Sequence, residues 1–420
     1  MKRGFYTIMA AQFFSSLADN ALLIAAIALL VDMAAPDWIK PLLKFFFTVS
    51  YVIFAPFVGA FADSMPKGKV MLITNTIKLV GCTVMLFNVH PLLAYGIVGL
   101  GAAAYSPAKY GILTELLPPE KLVAANGWIE GTTVGSIILG VVLGGFLVGP
   151  KMSTLLLGFD LPMLDTGIDT RGEAAILVIM IFYIIAALFN SRIPDTGARY
   201  EHQESNPIKL LTDFWRCNSI LWKDKLGQIS LAVTTLFWGA GATLQFIVLE
   251  WAKTQLHLPL DQAAKLQGVV AVGIAVGAIL AARYIPLKRS LNVTKIGIAM
   301  GLFVPLMTLV HSEAYALPML VIIGGLAGFF VVPMNALLQH RGHVLMSAGH
   351  SIAVQNFNEN LNILLMLGIY SVLIKLNVSI NIVIVLFGLF VAATMLFVMR
   401  RHQANQRQFD SVALIGEAKH

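Results

Sequence analysis

Long apolar segments recur along the whole chain, and they constrain its fold more than any other feature of the sequence. Each is long enough to cross about 30 Å of hydrocarbon as an α-helix. Hydrophobic residues make up 58% of the 420 residues and charged residues 12%, which excludes an ordinary soluble enzyme. We expect twelve membrane spans, at 5–31, 41–62, 69–88, 91–114, 122–148, 173–191, 227–252, 262–284, 291–311, 314–338, 348–374 and 378–400.

The distribution of Lys and Arg predicts the orientation in the membrane. The formal net charge is +7, but the basic residues fall between apolar runs, where they set topology rather than bind nucleic acid. With both termini in the cytoplasm, the inner side holds most of the 29 Lys and Arg. The outer side then holds seven, namely Lys40, Lys44, Lys151, Arg171, Lys253, Lys265 and Lys375.

The first apolar run is interpreted as a retained helix rather than a secretory signal. Lys2 and Arg3 precede it as in a signal peptide, but Asp19 lies at its centre and no small-residue cleavage site follows. Cys82 and Cys217 lie in an apolar run and a polar segment, so we expect no disulfide between them.

The two halves of the sequence repeat the same features. Predicted span four closes at Pro107 and Glu130 follows in span five, while span ten closes at Pro333 and Glu359 follows in span eleven. This repeat is typical of the major facilitator architecture. We predict an all-α polytopic membrane protein with 12 transmembrane helices in two six-helix, pseudo-symmetric halves. The expected divisions are 1–191, a cytoplasmic linker at 192–226, 227–401 and a cytoplasmic tail at 402–420.

The linker contains a predicted amphipathic helix with two open interpretations. Its apolar residues could share one helical stripe. The helix would then either lie on the membrane surface or dock under the bundle. The stripe consists of Leu211, Phe214, Trp215, Leu221 and Trp222.

Ionisable residues within the apolar runs are the main functional signal. A charge at mid-bilayer costs about 3 kcal/mol even on the lenient insertion scale, so such groups face the protein interior and mark a pathway. The alternative is a set of structural ion pairs, such as Asp19 with Lys109 or Glu130 with Lys78. The candidates for substrate binding or ion coupling are Asp19, Lys78, Lys109, Glu130 and Glu359.

The segment GAFADSMPKGKV between spans two and three is a candidate gate. It resembles the major facilitator loop in which an Asp and following basic residues latch the cytoplasmic faces together. Met65 and Pro66 depart from the usual central Gly, and a plain solvated turn is the alternative. The matching positions are Gly59, Asp63, Lys67 and Lys69.

Motifs of soluble enzymes and of cofactor binding do not occur in the sequence. The Gly68-Lys69 pair has Asp63 where a P-loop needs Gly. His340 and His343 lack a third ligand nearby and are assigned to a solvated loop rather than a metal site. We therefore expect neither enzymatic activity, nor a metal, nor a cofactor.

Several stretches together resemble the bacterial lysophospholipid transporter family LplT. They are AQFFSSLADNALL, FAPFVGAFAD, GAAAYSPAKYGIL, LFWGAGATL, GFFVVPMNALLQ and AVQNFNEN. The resemblance implies a flippase-like transporter in the inner membrane, which moves lysophosphatidylethanolamine and related lipids from the outer to the inner leaflet. It also implies a cytoplasmic acyltransferase partner that works with acyl carrier protein.

The same resemblance assigns polar positions to Asp19, Asn20, Lys109 and Glu359. Lys109 would attract the phosphate, and Asp19 or Glu359 would attract the ammonium. One departure is Gln245, which stands where the family is expected to carry a basic residue. Losing that charge could change headgroup preference or pairing.

Three alternatives of other kinds remain at this stage. A proton-coupled exporter of amphiphilic small molecules would use Asp19 or Glu359 as its coupling carboxylate. A membrane-embedded acyltransferase is disfavoured because none of the nine His has an acidic residue five positions on. A receptor or channel is disfavoured by the duplicated halves.

Overall fold

The computed structural model describes residues 3–36, 39–116, 119–158, 168–197, 206–258, 260–346 and 348–415, and its regular secondary structure in these ranges is helical. Short 3-10 segments at Leu287–Val293 and Val304–Leu309 flank one helix. The α-helices are α1 (Arg3–Asp32), α2 (Lys40–Ile53), α3 (Ala55–Asp63), α4 (Lys67–Leu86), α5 (Pro91–Leu116), α6 (Pro119–Val148), α7 (Pro150–Leu157), α8 (Arg171–Ser191), α9 (Pro207–Lys223), α10 (Gly227–Gln255), α11 (Leu260–Tyr284), α12 (Thr294–Phe303), α13 (Glu313–Leu345), α14 (Ala348–Lys375) and α15 (Ile380–Gln408).

The predicted polytopic all-α class is confirmed. Within the described ranges, 10 helical segments are long and apolar enough to cross a membrane, and the bent pair α2–α3 brings the number to 11. Helix α5, with 26 residues, occupies the remaining predicted position. Apolar side chains stay exposed at helical spacing along α8, as a lipid-facing surface requires. They are Leu177, Ile181, Ile184 and Leu188.

Two prolines expected to close their helices do not do so. Helix α5 continues past Pro107 to Leu116, and α13 continues past Pro333 to Leu345. A proline removes one main-chain hydrogen bond, but neighbouring groups in a membrane bundle can satisfy the freed carbonyl. The sharp break falls instead before Pro56, where α2 and α3 meet at 65°.

One compact unit comprises Met1–Leu117 and Thr132–Ser205. Its apolar core includes Leu22 of α1, Tyr95 of α5 and Ile179 of α8. Helices α2 and α5 approach closely because Gly99 has no side chain: a Cβ there would lie 2.6 Å from the Cα of Phe47. This contact fixes the position of α2 beside α5.

The other compact unit comprises Pro118–Gly131 and Asn206–His420. Its core lies between α10, α12, α13 and α15, and it contains the fully buried Trp251. The indole Nε1–H of Trp251 donates to the main-chain oxygen of Met307 at 3.0 Å. Gly324 of α13 lies directly against the main chain of Val270 in α11, which agrees with the small-residue packing of membrane helices.

Helix α9 docks on this second unit through one face. Phe214 and Leu221 are buried, and the ring of Phe214 contacts Phe357 of α14 at 5.3 Å. The indole of Trp222 donates to Asn358 Oδ1 at 3.0 Å. Burial raises the pKa of the Cys217 thiol on the same face. Helix α9 therefore contacts α14 through this face, whereas Leu211, Trp215 and Trp222 of the expected stripe remain exposed.

Candidate functional site

Four helices of the first unit bring polar side chains together around Asp19. Lys78 of α4 donates from Nζ to Asp19 Oδ2 at 2.8 Å and to Ser15 Oγ at 2.9 Å. The hydroxyl of Tyr183 on α8 donates to Asp19 Oδ1 at 2.6 Å. Tyr95 of α5 donates to the main-chain oxygen of Asp19 at 3.1 Å. We call these five residues the Asp19 cluster.

The two charges of the cluster differ in their access to solvent. The Lys78 side chain is 2% exposed and the Asp19 side chain 16% exposed. The Lys78 ammonium also lies 5.1 Å from the ring centroid of Tyr105 and 5.8 Å from that of Tyr183, so ring electrons add to its stabilisation. Asp19 is thus the member of the pair that a ligand can reach, while Lys78 holds it from behind.

Asp19 pairs with Lys78 and not with Lys109, the partner considered from the sequence. Lys78 lies at a position from which its long, flexible stem reaches α1. Lys109 is half-buried instead, with its ammonium 4.3 Å from the ring centroid of Tyr110. Glu130 belongs to α6, but its side chain lies outside the described part of the structure.

Asn20 does not join the side-chain contacts of its neighbour Asp19. Its amide donates to the main-chain oxygen of Ser16 at 2.8 Å, one helical turn back. A side chain on Gly140 of α6 would collide with the Cβ of Asn20. Asn20 thus lies where α1 and α6 approach each other.

Glu359 is the buried carboxylate of the second unit. Its side chain on α14 is 6% exposed and accepts a hydrogen bond from Gln355 Nε2 at 2.8 Å. Gln355 also donates to Asn335 of α13 at 3.3 Å. The amide of Gln355 thus links this carboxylate to Asn335 on the neighbouring helix α13.

Gln245 of α10 pairs with an amide of the neighbouring helix α11. Its Nε2 donates to Gln267 Oε1 at 3.1 Å, and Gln267 Nε2 donates to the main-chain oxygen of Gln245, also at 3.1 Å. Gln245, which stands where a basic residue is expected, thus has a reciprocal partner and joins α10 to α11.

The candidate gate forms a buried ion network inside the first unit. Lys67 donates to Asp63 one turn away and to the main-chain oxygen of Ala62 at 2.7 Å. Its ammonium also lies 3.8 Å from Glu115 Oε1 at the end of α5. Both Asp63 and Lys67 are buried, so the solvated-turn alternative does not describe them. Gly59 is buried as well, whereas Lys69 is exposed and outside the network.

A further buried ion pair, between Arg341 and Asp224, was not predicted from the sequence. Arg341, at the end of α13, donates from Nε to Asp224 Oδ1 at 3.1 Å and from Nη2 to Oδ2 at 2.6 Å. Asp224 Oδ1 also accepts from the main-chain N–H of Gly227 at 2.7 Å, at the start of α10. The pair therefore ties the end of one predicted span to the beginning of another.

Other members of the site were also missed. Tyr95 and Tyr183 carry no charge and stand in apolar runs, so only their position next to Asp19 reveals them. Glu115 follows a predicted span and resembles an ordinary loop residue. Lys44 was counted on the outer side although it lies in predicted span 41–62, and α2, which begins at Lys40, includes it.

The arrangement defines a polytopic membrane protein with charged and polar groups inside its helical units. The family model of the Major Facilitator Superfamily matches residues 8–367. The human organic anion transporter MFSD10 shares the fold, with a TM-score of 0.70 at 15% identity over 96% of this chain and 100% of that one. FucP in its outward conformation gives a TM-score of 0.68 at 15% identity, over 94% and 98% of the two chains.

Curated relatives agree over nearly the whole sequence. The lysophospholipid transporter LplT of Yersinia enterocolitica is 43% identical over 382 residues, or 90% of this chain and 89% of its own. LplT of Yersinia pestis is 42% identical over 378 residues, or 90% and 88% of the two chains. The chain belongs to the Major Facilitator Superfamily and, within it, to the family of these LplT proteins. That family consists of transporters, as expected, and not of membrane-embedded acyltransferases.

Proposed function

We propose that this chain transports lysophospholipids, including lysophosphatidylethanolamine, from the outer to the inner leaflet of the bacterial inner membrane. The observation that carries the proposal is the 43% identity, over 90% of the chain, to a relative named as a lysophospholipid transporter. Transport would proceed by alternating access. The Lys and Arg distribution supports both termini being cytoplasmic.

The Asp19 cluster suits the headgroup of such a lipid. A lysophosphatidylethanolamine headgroup carries one phosphate and one ammonium, and opposite charges attract most strongly where water is scarce. The partly exposed Asp19 would accept the ammonium, while Lys78 orients the Asp19 carboxylate. Tyr183 fixes the other carboxylate oxygen at 2.6 Å. Lys109 and Glu359 remain candidates for further headgroup contacts.

The gate residues Asp63, Lys67 and Glu115 would act as a conformational latch. Their network joins the segment between α3 and α4 to the end of α5. A buried ion network of this kind has a definite geometry, and breaking it leaves charges without partners. Opening and closing of the cytoplasmic side would therefore depend on whether this network is intact.

A cytoplasmic acyltransferase would consume the transported lipid. A lysophospholipid has one acyl chain, so re-acylation to a diacyl lipid removes it from the inner leaflet. An acyltransferase acting with acyl carrier protein is the partner implied by the family resemblance. Consumption of this kind would draw transport inward without a separate driving ion.

An assay in spheroplasts tests the proposal. Spheroplasts without lysophospholipid uptake of their own receive labelled lysophosphatidylethanolamine outside, and its conversion to diacyl lipid is followed with and without this chain. We expect conversion that depends on the chain, is lost in Asp19→Asn and is retained in Asp169→Asn, a matched control at an exposed position. Absence of conversion with inserted protein and an active acyltransferase would favour the exporter of amphiphilic molecules instead.

A further inference from the structure

Lys44 is a positive charge inside a membrane-spanning helix of the first unit, without a carboxylate partner among the described residues. It lies in the second turn of α2 and is half-buried, with its ammonium 5.2 Å from the ring centroid of Phe47. The ion pairs of the described residues do not include it. A cation in an apolar helix is costly without a counter-charge, so Lys44 marks a candidate functional position.

Aromatic side chains connect Lys44 to the Asp19 cluster. The ring of Phe47 lies 5.0 Å from that of Tyr95, whose hydroxyl donates to the main-chain oxygen of Asp19. Lys44 therefore stands at one end of a row of contacts that leads through Phe47 and Tyr95 to the main-chain oxygen of Asp19, the residue assigned to the headgroup.

The charges in this part of the unit do not balance. Asp19 is a single carboxylate, and Lys78 already pairs with it at 2.8 Å. Lys44 adds a second ammonium, which leaves one positive charge in excess. A phosphodiester carries one negative charge and accepts hydrogen bonds from ammonium groups, so it has the charge and the chemistry that this site lacks.

A hydroxyl on the same helix face offers a second donor. Tyr51 lies two turns after Lys44 on α2 and is half-buried, and its ring contacts Phe47 at 6.1 Å. Its hydroxyl makes no hydrogen bond to any other described residue. Lys44 and Tyr51 thus present one cationic and one neutral donor on either side of Phe47.

We propose that Lys44, assisted by Tyr51, binds the phosphate of the lysophospholipid headgroup toward the outer end of α2, before the headgroup ammonium reaches Asp19. The inference rests on the proposed function and adds a phosphate-binding position to it. The charge distribution places the beginning of α2 on the outer side, where the substrate would enter. The phosphates of ordinary bilayer lipids have the same chemistry. If Lys44 binds only those phosphates, it is a plain membrane anchor, and the test must distinguish this role from binding of the lysophospholipid.

The experiment measures binding of labelled lysophosphatidylethanolamine to the purified full chain in a maltoside detergent, where no bilayer phosphate is present. Lys44→Gln is expected to weaken binding about tenfold, the loss of one charge-assisted hydrogen bond. Lys44→Arg is expected to stay within about twofold of the wild type, because it keeps the charge. Lys151→Gln is the matched control, an exposed lysine of the same unit with the same change of charge.

Melting temperatures of the same samples separate misfolding from loss of the contact. Unchanged binding in Lys44→Gln would overturn the inference and leave Lys44 as an anchor. Equal weakening in Lys44→Gln and Lys44→Arg would overturn it as well, since the charge would then be irrelevant. If wild-type chain converts the lipid in spheroplasts and Lys44→Gln converts it with the same half-saturating concentration, only this inference fails and the proposed function stands.

Discussion

The Nζ of Lys78 lies 2.8 Å from Oδ2 of Asp19, so a buried ammonium of α4 holds a partly exposed carboxylate in the middle of α1. Tyr183 holds the other oxygen of the same carboxylate at 2.6 Å. With both oxygens held, Asp19 has a fixed orientation while 16% of its side chain stays exposed. A carboxylate that is charged, oriented and reachable suits the binding of a cationic group.

The first prediction is that removing the charge of Asp19 destabilises the protein more than removing the charge of Lys78. Removing one partner of a buried pair costs about 3–5 kcal/mol when the remaining charge cannot be hydrated. Asp19→Asn leaves the Lys78 ammonium, which is 2% exposed, without its ion-pair partner. Lys78→Met leaves the Asp19 carboxylate, which is 16% exposed, without its ion-pair partner. We therefore expect Asp19→Asn to lower the melting temperature more than Lys78→Met, as measured in detergent.

The double variant Asp19→Asn/Lys78→Met provides the control for that prediction. It leaves no orphaned charge, so its melting temperature should recover above that of Asp19→Asn while transport stays lost. Melting temperatures equal to that of the wild type in all three variants would show that the pair contributes nothing to stability. Retained transport in the double variant would remove Asp19 from the transport path.

The second prediction compares two tyrosines that touch Asp19 differently. Tyr183→Phe deletes a hydrogen bond to the carboxylate, and a bond to a charged group contributes about 1.5–3 kcal/mol. Tyr95→Phe deletes only a bond to the main-chain oxygen at 3.1 Å. We expect conversion of lysophosphatidylethanolamine to fall about tenfold in Tyr183→Phe and to fall less in Tyr95→Phe. The reverse order would mean that orientation of the carboxylate does not limit transport.

The third prediction concerns the gate. Lys67 contacts the carboxylates of Asp63 and Glu115 within a buried network, whereas Lys69 is exposed two residues away. Lys67→Met removes the ammonium that joins these two buried carboxylates, so both melting temperature and transport should fall strongly. Lys69→Met makes the same change of charge and should lose far less of either. Similar losses of melting temperature and of transport in the two variants would indicate that this segment is an ordinary solvated turn.

The fourth prediction tests the geometry of the Arg341–Asp224 pair. Arg341 contacts both oxygens of Asp224 through a planar fork, which the single ammonium of Lys cannot reproduce. Arg341→Lys should therefore lower the melting temperature although the charge is kept. Arg283→Lys, at an exposed position of the same unit, should leave it unchanged. A melting temperature for Arg341→Lys equal to the wild type would show that charge alone suffices.

The positions of the helices could be predicted from the sequence because their cause is local. A run of about 20 apolar residues must become a helix in hydrocarbon, since no water can satisfy its main-chain groups. Each predicted span accordingly coincides with helical structure in the described residues, including 291–311, where α12 is flanked by 3-10 segments. The intramembrane charges Asp19 and Lys78 could also be recognised, because a charge in an apolar run is costly.

The partners of these charges could not be predicted because they depend on how helices rotate against one another. Asp19 and Lys78 are 59 positions apart, and Arg341 and Asp224 are 117 apart. No pattern in a single sequence fixes such registers. The prolines were misjudged for a related reason: whether a freed carbonyl finds a new partner depends on the neighbouring helices, as at Pro107 and Pro333.

Reconstitution of the purified chain into liposomes tests lysophospholipid transport most directly, with no acyltransferase involved. Labelled lysophosphatidylethanolamine is added to the outer leaflet, and albumin extracts whatever remains there at each time. With wild-type chain, the fraction that albumin cannot extract should grow rapidly, whereas Asp19→Asn should match empty liposomes. Equal rates for wild-type chain and for empty liposomes, with the protein correctly folded and inserted, would contradict the proposal that this chain moves lysophospholipids.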